Sequence, residues 1–573
     1  MSTLIDAVRN AVDADRLWKH VEWSSRVRRD TGGPGEERMV DYIVDELTRA
    51  GVPVRVHSFD AYLSYPRHAT LEVRPEGGEP FQVPCLTHSF TRSTGPHGLV
   101  GRLKYLPDRD MNLAAGRIAV LDGVATPIDV LGANRAGAQA VIFCNPGPYI
   151  HNMIETTIWG GAPTPSQVDR LPTIPVVSVA SQNGAAIKEL LHKGPVDVKI
   201  VTHVETGWYP VKLPEVIIPG DRSTEEFILV GGHYCSWEVG TTDNSTGVSV
   251  LLEMARVLWE HRDQLKRSIR IAWWPGHSHG RYAGSTWYAD TFFEDLRKHC
   301  VVYHNIDSPG VRGATEYILR HTSAEMETFA REVVQRYIGQ EDPAVHRPSR
   351  AADQSFLDMG VPSCSLYSFL PDDHPDKRPW TGGCAGAWWW HTEHDTLDKA
   401  SREVLHKDCQ LSTTFVSLLA TADVLPIDLT VLVDEIHTAL KRLDEEIGQH
   451  VDLKLLVAKS ERLVAAVAEL NNKPVDGDPA AVQARNRILM GISRALNPVV
   501  YGLEGPYGHD VAERVPRMTA HRGAKMYGLS RGVELNALEG TTEYGFLKVD
   551  IQRQVNRAAE ALDAALELIG AGR

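Results

Sequence analysis

Five short stretches of the chain carry residue types able to do chemistry together. GGHYCSW holds His233, TTDNSTG holds Asp243, NIDSPG holds Asp307 and WWWHTEHDTLD holds His391. The fifth, WWPGHSHGRYAGS, brings His277, Ser278 and His279. The first four fall at the ends of predicted strands in one α/β region, and in open sheets functional groups collect at the carboxyl ends of strands. Two imidazoles and two carboxylates gathered there suit a divalent transition metal such as zinc. Each motif alone has a plainer meaning. A histidine after a strand is commonly just a satisfied polar residue. DNSTG serves as a helix N-cap, NIDSPG as a turn and HTEHDTLD as a solvated acidic loop. The metal reading rests on their order and shared context. Imidazole itself suits two tasks of such a centre, as a neutral ligand and as an acid/base near pH 7.

The elements that must position these residues follow from periodicity and punctuation. EFILVGGHY reads as a buried strand, and TGVSVLLEMARVLWEHR as a helix with Val248, Leu251, Leu252, Ala255 and Leu258 on one face. SIRIAWW, CVVYHNID and VPSCSLYS are further strands, so residues 214–428 form the metal-binding α/β domain. Upstream, residues 1–60 read as two helices and a strand, TGGPGEERMVDYIVDELTRAG being the second helix and VPVRVHSF the strand. Residues 1–110 are assigned to the N-terminal part of the same domain. Between them, RIAVLDG, IDVLGANRAGA, QAVIFCNPG and TIPVVSVASQNGAAIKELL alternate strand and helix, which makes residues 111–213 a separate β/α unit. From about 430 strand signals fade. LTVLVDEIHTALKRLDEEI, LKLLVAKSERLVAAVAELNN, AAVQARNRILMGISRAL and KVDIQRQVNRAAEALDAALELI have helical period, giving a helical domain over 429–573.

Bulk properties bound the function. A chain of 573 residues exceeds one core, so two to four domains are expected. The net charge of −14 argues against nucleic acid or an anionic membrane as the principal partner. No run of 18 apolar residues occurs, which excludes a helical membrane span. The first twenty residues alternate apolar and charged residues rather than presenting a signal-like apolar block. The seven cysteines include no CxxC pair, and a reducing cytoplasm is the simplest setting. There is no phosphate loop of the GxxxxGK type and no GxSxG elbow.

Taken in order, the HY and SW of GGHYCSW, DNSTGVSVLLEMARVL, AGSTWYAD, NID and WHTEHDTLD resemble the di-zinc aminopeptidase family, in its glutamate carboxypeptidase II and transferrin receptor branch. RIAVLDG through TIPVVSVA resembles the protease-associated apical domain inserted in that branch. NRILMGISRALNPVVYG and the last helix resemble its helical dimerisation domain. The resemblance implies an α/β fold with an aminopeptidase-like mixed sheet flanked by helices, an apical insertion and a C-terminal helical domain. It implies that His233, Asp243 and Asp307 bind one metal and that Asp243 bridges to a second held by His391. Asp395 and Asp398 would then shape the loop that orients His391. Ser349, Arg350 and Asp353 fall where the family places a pocket loop, so that Arg350 could meet a substrate carboxylate.

Two positions depart from the family pattern. Its adjacent glutamates, one a base and one a ligand, are absent. Counting back from Gly284–Ser285 puts Ser278 on the base and His279 on the ligand. Counting forward from SIRIAWW puts His277 on the base and Ser278 on the ligand. His279 is favoured as ligand and His277 as proton carrier. Cys235 replaces an aspartate that orients the first metal histidine, which leaves His233 less securely held. The chain thus reads as a homodimeric metallohydrolase carrying one or two ions, zinc foremost. It would cleave an amide or peptide-like C–N bond of a specialised small substrate, preferring anionic or neutral molecules to peptides with a free N-terminus. A lyase-type metal enzyme and a binding protein without catalysis are the rival readings.

Overall fold

The computed structural model describes residues 2–475, 477–512 and 523–571. Expected helical-region residues 476, 513–522 and 572–573 lie outside that description. An eleven-stranded mixed sheet runs through the molecule. Its spine is a long antiparallel ribbon in which Val54–Pro75 pairs with Val196–Ile218, from Val54 opposite Val216 to Pro75 opposite Val196. At one end of the ribbon Ser268–Trp274 pairs with residues 215–218 and continues, in parallel, to Phe227–His233 and Cys300–Asn305. At the other end Leu99–Tyr105 pairs with residues 197–200 and leads to Ile118–Asp122, Ala140–Cys144, Val176–Val179 and Leu86–Thr87. The strand Leu99–Tyr105 pairs in parallel with Ile118–Asp122, so the boundary expected at residue 110 falls between two paired strands. The boundary at 213 falls within the ribbon strand shared by both halves.

Phe227–His233 is buried along its whole length because it lies between two parallel neighbours. Gly231 and Gly232 have no alternative there: a Cβ at Gly231 would stand 2.3 Å from the Trp274 ring, and one at Gly232 would stand 2.3 Å from the Ile306 carbonyl oxygen. The helix Thr246–Glu260 packs behind it with Val248, Leu251, Leu252, Ala255 and Leu258 all buried, the face that periodicity predicted. VPSCSLYS enters not the main sheet but a three-stranded one, where Ser365–Phe369 and Ala344–Val345 flank Glu316–Arg320. At the N-terminus one more helix is present than predicted. Residues read as one helix divide into Ser2–Asn10 and Ala14–Ser24, because Asp13 turns out of helical conformation and its side chain accepts from the N–H groups of Asp15 and Arg16.

The helices Leu429–Ile447, Lys454–Asn471, Pro479–Tyr501 and Thr542–Ala571 make up the C-terminal region. Their apolar faces join the core of the α/β domain in one continuous cluster. On the last helix Ile551, Leu562 and Ile569 are buried, while Val555 and Leu566 are half-buried. Arg494 anchors this region to the sheet. Its guanidinium donates to the carbonyls of Arg297 (2.8 Å), Gly360 (2.9 Å) and Cys300. Arg494→Ala leaves those buried acceptors unpaired and removes a large buried side chain. It should lower unfolding stability by about 2–4 kcal/mol in urea titration; an unchanged midpoint would show that the contact does not hold the two regions together.

Candidate metal centre

The parallel strands end on one face, and there the motif residues meet. His233 is the last residue of its strand. Its Nδ1 lies 2.9 Å from the Cys235 carbonyl oxygen, so Nδ1 carries the proton and Nε2 is turned toward the carboxylates. The thiol at 235 therefore does not loosen His233, because backbone supplies the acceptor that the expected aspartate would have supplied. His391 is fixed in the same way, with Nδ1 2.7 Å from the Asn152 carbonyl oxygen. His277 donates from Nδ1 to Asp353 Oδ2 at 2.8 Å, and Asp353 Oδ1 accepts from Ser285 Oγ. Three imidazoles thus have Nδ1–H committed and Nε2 available, the arrangement by which outer partners orient metal-binding histidines.

The Nε2 of His233 stands 3.0 Å from Asp243 Oδ1 and 3.5 Å from Asp307 Oδ1. The Nε2 of His391 stands 3.3 Å from Asp243 Oδ2. Asp243 therefore offers one oxygen to each imidazole. His277 stacks on His233 with ring centroids 3.8 Å apart, and His233, His277 and Asp307 bring ligand atoms within 4.8 Å of one another.

Asn244 holds these ligand segments together. Its buried amide donates to the carbonyls of His233 (3.1 Å) and Ile306 (3.0 Å) and accepts from the N–H groups of Gly247 and Ser308. One side chain thus ties the segments bearing His233, Asp243 and Asp307. Arg29, fully buried, donates to the carbonyls of Ser24, Val27, Tyr234, Val239 and Gly240, fixing the loop between His233 and Asp243. Asp395 accepts from the N–H groups of Thr242 and Asp243 and from the Thr242 hydroxyl, so it positions Asp243 rather than His391. Burial first, offset only in part by these bonds, pushes the Asp395 carboxyl up to about 7. Asp398 lies apart, bonded to Thr396 and Lys399. Sequence reading passed over Asn152, Arg29 and Asn244. Only Asn244 had a local signal, as the polar residue between Asp243 and a helix start.

Burial disfavours a charged His233, yet Asp243 and Asp307 outweigh it and hold the imidazole well above its ordinary range. Burial likewise works against an ionised Asp243, but His233 and His391 keep it well below the carboxylate range. Among the described residues, His233 Nε2 is buried without a hydrogen-bond partner although carboxylate oxygens surround it. An imidazole nitrogen facing two carboxylates needs positive charge between them, from a proton on the ring or from a cation in its place. Two ligands on one tetrahedral zinc, each at about 2.0–2.2 Å, stand about 3.3 Å apart, and the spacings of 3.0, 3.3 and 3.5 Å bracket that value. The donor set therefore fits a divalent metal.

Three expected site residues are placed elsewhere. His279 does not join the cluster: its Nδ1 accepts from the Thr31 N–H at 3.4 Å, its Nε2 lies 3.9 Å from Asp30, and its ring packs against Trp237 and Tyr65. It lines a separate polar cavity of about 190 Å³ with Arg28, Asp30 and Arg67. Burial lowers its pKa to about 4. The ligand role expected of His279 is corrected by this placement, since the left-handed turn at Arg281 and Tyr282 closes the segment with His277 inward. Ser278 is buried with its hydroxyl 4.0 Å from the Cys235 thiol. Arg350 is fully buried, its Nη2 is ion-paired to Asp358 and to Asp510, the latter at 2.6 Å, and it does not line the cavity over the cluster.

Residues 216–416 match the family model described as Peptidase family M28. Among curated proteins, the probable lipoprotein aminopeptidase LpqL of Mycobacterium tuberculosis is 26% identical over 322 residues, covering 52% of this chain and 60% of that protein. Aminopeptidase NAALADL1 of Rattus norvegicus is 25% identical over 396 residues, covering 61% and 51%. The chain thus spans about half to three-fifths of these relatives' own length. Among solved structures, the aminopeptidase from Aneurinibacillus sp. strain AM-1 superposes with a TM-score of 0.56 at 21% identity, covering 73% of this chain and 96% of the other. The zinc aminopeptidase BSAP from Bacillus subtilis gives a TM-score of 0.56 at 21% identity, covering 73% and 98%. At such identity the likeness is one of fold.

If this donor set holds the metal, His233→Ala and Asp243→Ala should weaken zinc binding by about 100-fold or more in a chelator competition. Asp353→Ala should leave zinc binding nearly unchanged, because the side chain it orients, His277, is a proton carrier and not a ligand. His279→Ala should bind zinc as the unaltered protein does. Metal loss in His279→Ala with retention in His233→Ala would place the centre at the wrong histidine.

Proposed function

We propose that this chain, whose α/β domain matches Peptidase family M28, is a zinc-dependent hydrolase of amide or peptide-like C–N bonds. One observation carries the reading. Nε2 atoms of oriented histidines converge on Asp243 and Asp307 at the carboxyl ends of the sheet, in a buried cavity. Zinc in that donor set supplies Lewis acidity toward a carbonyl oxygen and toward water. The remaining work belongs to side chains. His277, with Nδ1–H held by Asp353, presents a basic Nε2 to the cavity and is suited to take a proton from attacking water and pass it to the leaving nitrogen. Asp353 keeps the tautomer and steadies the imidazolium, as a carboxylate does behind a catalytic histidine.

The site nearest His233 has the fuller donor set, with Asp243 and Asp307 both facing its Nε2. Toward His391 the facing donor is Asp243 alone. That inequality supports one tightly held ion per chain, with any second held more weakly. Substrates are expected to be specialised small acyl compounds rather than ordinary peptides with a free N-terminus. Among the described residues the cavity offers no carboxylate for a free amine beyond Asp243 and Asp307. We further read residues 111–213 as a protease-associated apical domain, supported by the β/α unit whose residues 151 and 152 reach the His391 loop. Homodimerisation through residues 429–573 is supported by exposed Phe546 and Val549 on the last helix. All seven cysteines are free, which supports a reducing compartment.

Protein reconstituted with Zn, Mn, Fe or Ni and offered aminoacyl anilides and N-acylated amino acids should cleave the N-acyl compounds in preference, consuming one water per bond. His277→Ala should reduce kcat by about 10²- to 10⁴-fold while retaining most of the zinc. Full activity in His277→Ala would remove it from proton transfer, and brisk turnover of simple aminoacyl anilides would overturn the substrate assignment. Light scattering should return about twice the chain mass of 63.4 kDa; a monomer at micromolar concentration would refute the dimer.

A further inference from the structure

The cavity over the metal centre has a histidine that no step above uses. His321 follows the strand Glu316–Arg320 and lines the cavity with Asp243, His277, Asp307 and His391. It is 2% exposed. Among the described residues neither of its ring nitrogens has a hydrogen-bond partner. That distinguishes it from His233, His277 and His391, each of which has Nδ1 committed to a fixed acceptor. Its backbone is left-handed, with φ of +50°, a conformation that a residue with a Cβ seldom adopts without a constraint. Burial first, then the charges of Arg320 and His346, hold its pKa well below the ordinary range, so the ring is neutral and has one N–H and one lone pair. A side chain kept only for packing gains nothing from two buried, unpaired nitrogens, and their desolvation is costly.

We propose that His321 is a substrate-contacting residue that donates its N–H to an acceptor oxygen carried by the substrate beside the scissile bond. The proposal rests on the hydrolase reading of the site. The surrounding wall fits an acceptor oxygen better than an ammonium. Arg320 lies over the Tyr367 and Phe369 rings, and among the described residues Asp243 and Asp307 are the carboxylates that line the cavity. Because its charged form is disfavoured, His321 is a poor proton carrier and a good fixed donor; it selects and aligns, while His277 moves protons. The substrate class is an N-acyl amino acid or a similar acyl compound with a carbonyl or carboxylate oxygen next to the cleaved bond.

The test uses the zinc-loaded full chain as wild type, His321→Leu and His321→Asn, with N-acetyl-leucine as the probe. Binding is followed by calorimetry and cleavage by leucine release. Zinc content and thermal unfolding of each variant confirm an intact centre. His321→Leu should raise the Kd and KM for N-acetyl-leucine about tenfold or more with a smaller change in kcat, and His321→Asn, which keeps an N–H donor, should recover a substantial part of the lost affinity. Wild-type binding and cleavage matched by His321→Leu would overturn the role of His321 alone. An Asn variant as weak as the Leu variant would overturn it too, by assigning the residue to shape rather than hydrogen bonding. A wild type that neither binds nor cleaves any N-acyl amino acid would overturn the hydrolase reading and this proposal with it.

Discussion

Asp243 has one carboxylate oxygen toward His233 and the other toward His391, and the rest of the site is built to keep it there. A buried, ionised carboxylate is costly unless opposite charge and hydrogen bonds surround it. The neighbouring imidazoles supply part of that compensation, and a divalent cation would supply the remainder. The backbone around Asp243 is correspondingly over-determined. Asp395 binds the N–H groups of Thr242 and Asp243, and Asn244 bonds both the strand-end carbonyl of His233 and the Ser308 N–H. A change in any of these would be felt first as a displacement of Asp243, since a metal site tolerates only small errors in ligand position.

The same constraint explains why residues 151 and 152 matter to the site. His391 lies in a loop without regular secondary structure, in a left-handed conformation, and cannot orient itself. Asn152 and His151 bond to it and to Trp390: the Asn152 carbonyl accepts from His391 Nδ1, and His151 Nδ1 meets the Trp390 carbonyl. Trp389 and Trp390 also pack in one cluster with Val141 and Phe143 of the strand Ala140–Cys144. The long ribbon Val54–Pro75 with Val196–Ile218 makes this bracing possible, because it joins the two halves of the sheet without a flexible hinge.

Much of this was legible in the sequence. Buried parallel strands read as continuous apolar runs, and helices over 246–260 and 429–471 follow the 3.6-residue period, because in both cases the local pattern and the tertiary burial agree. His233, Asp243 and Asp307 stand next to the ends of such elements, whereas His391, in an irregular loop, was read from the order of the motifs alone. The histidine segment was not resolved. WWPGHSHG offers two imidazoles two residues apart, and which one turns inward depends on the αL residues Gly276, Arg281 and Tyr282, whose conformations have no periodic signature. Arg350 misled because an arginine in a loop is usually solvated, whereas here it is neutralised by Asp510, 160 positions away. Asn152 and Arg29 contact the site only through long-range packing, and nothing near them in sequence marks it.

The account turns on where a cation sits. Crystals of the zinc-loaded protein, measured at the zinc absorption edge, address that directly. An anomalous peak is predicted at about 2.0–2.2 Å from His233 Nε2 and from oxygens of Asp243 and Asp307, with none beside His279. A strong peak at His279 and Asp30, or none between His233 and Asp243 in protein shown to be zinc-loaded, would contradict it.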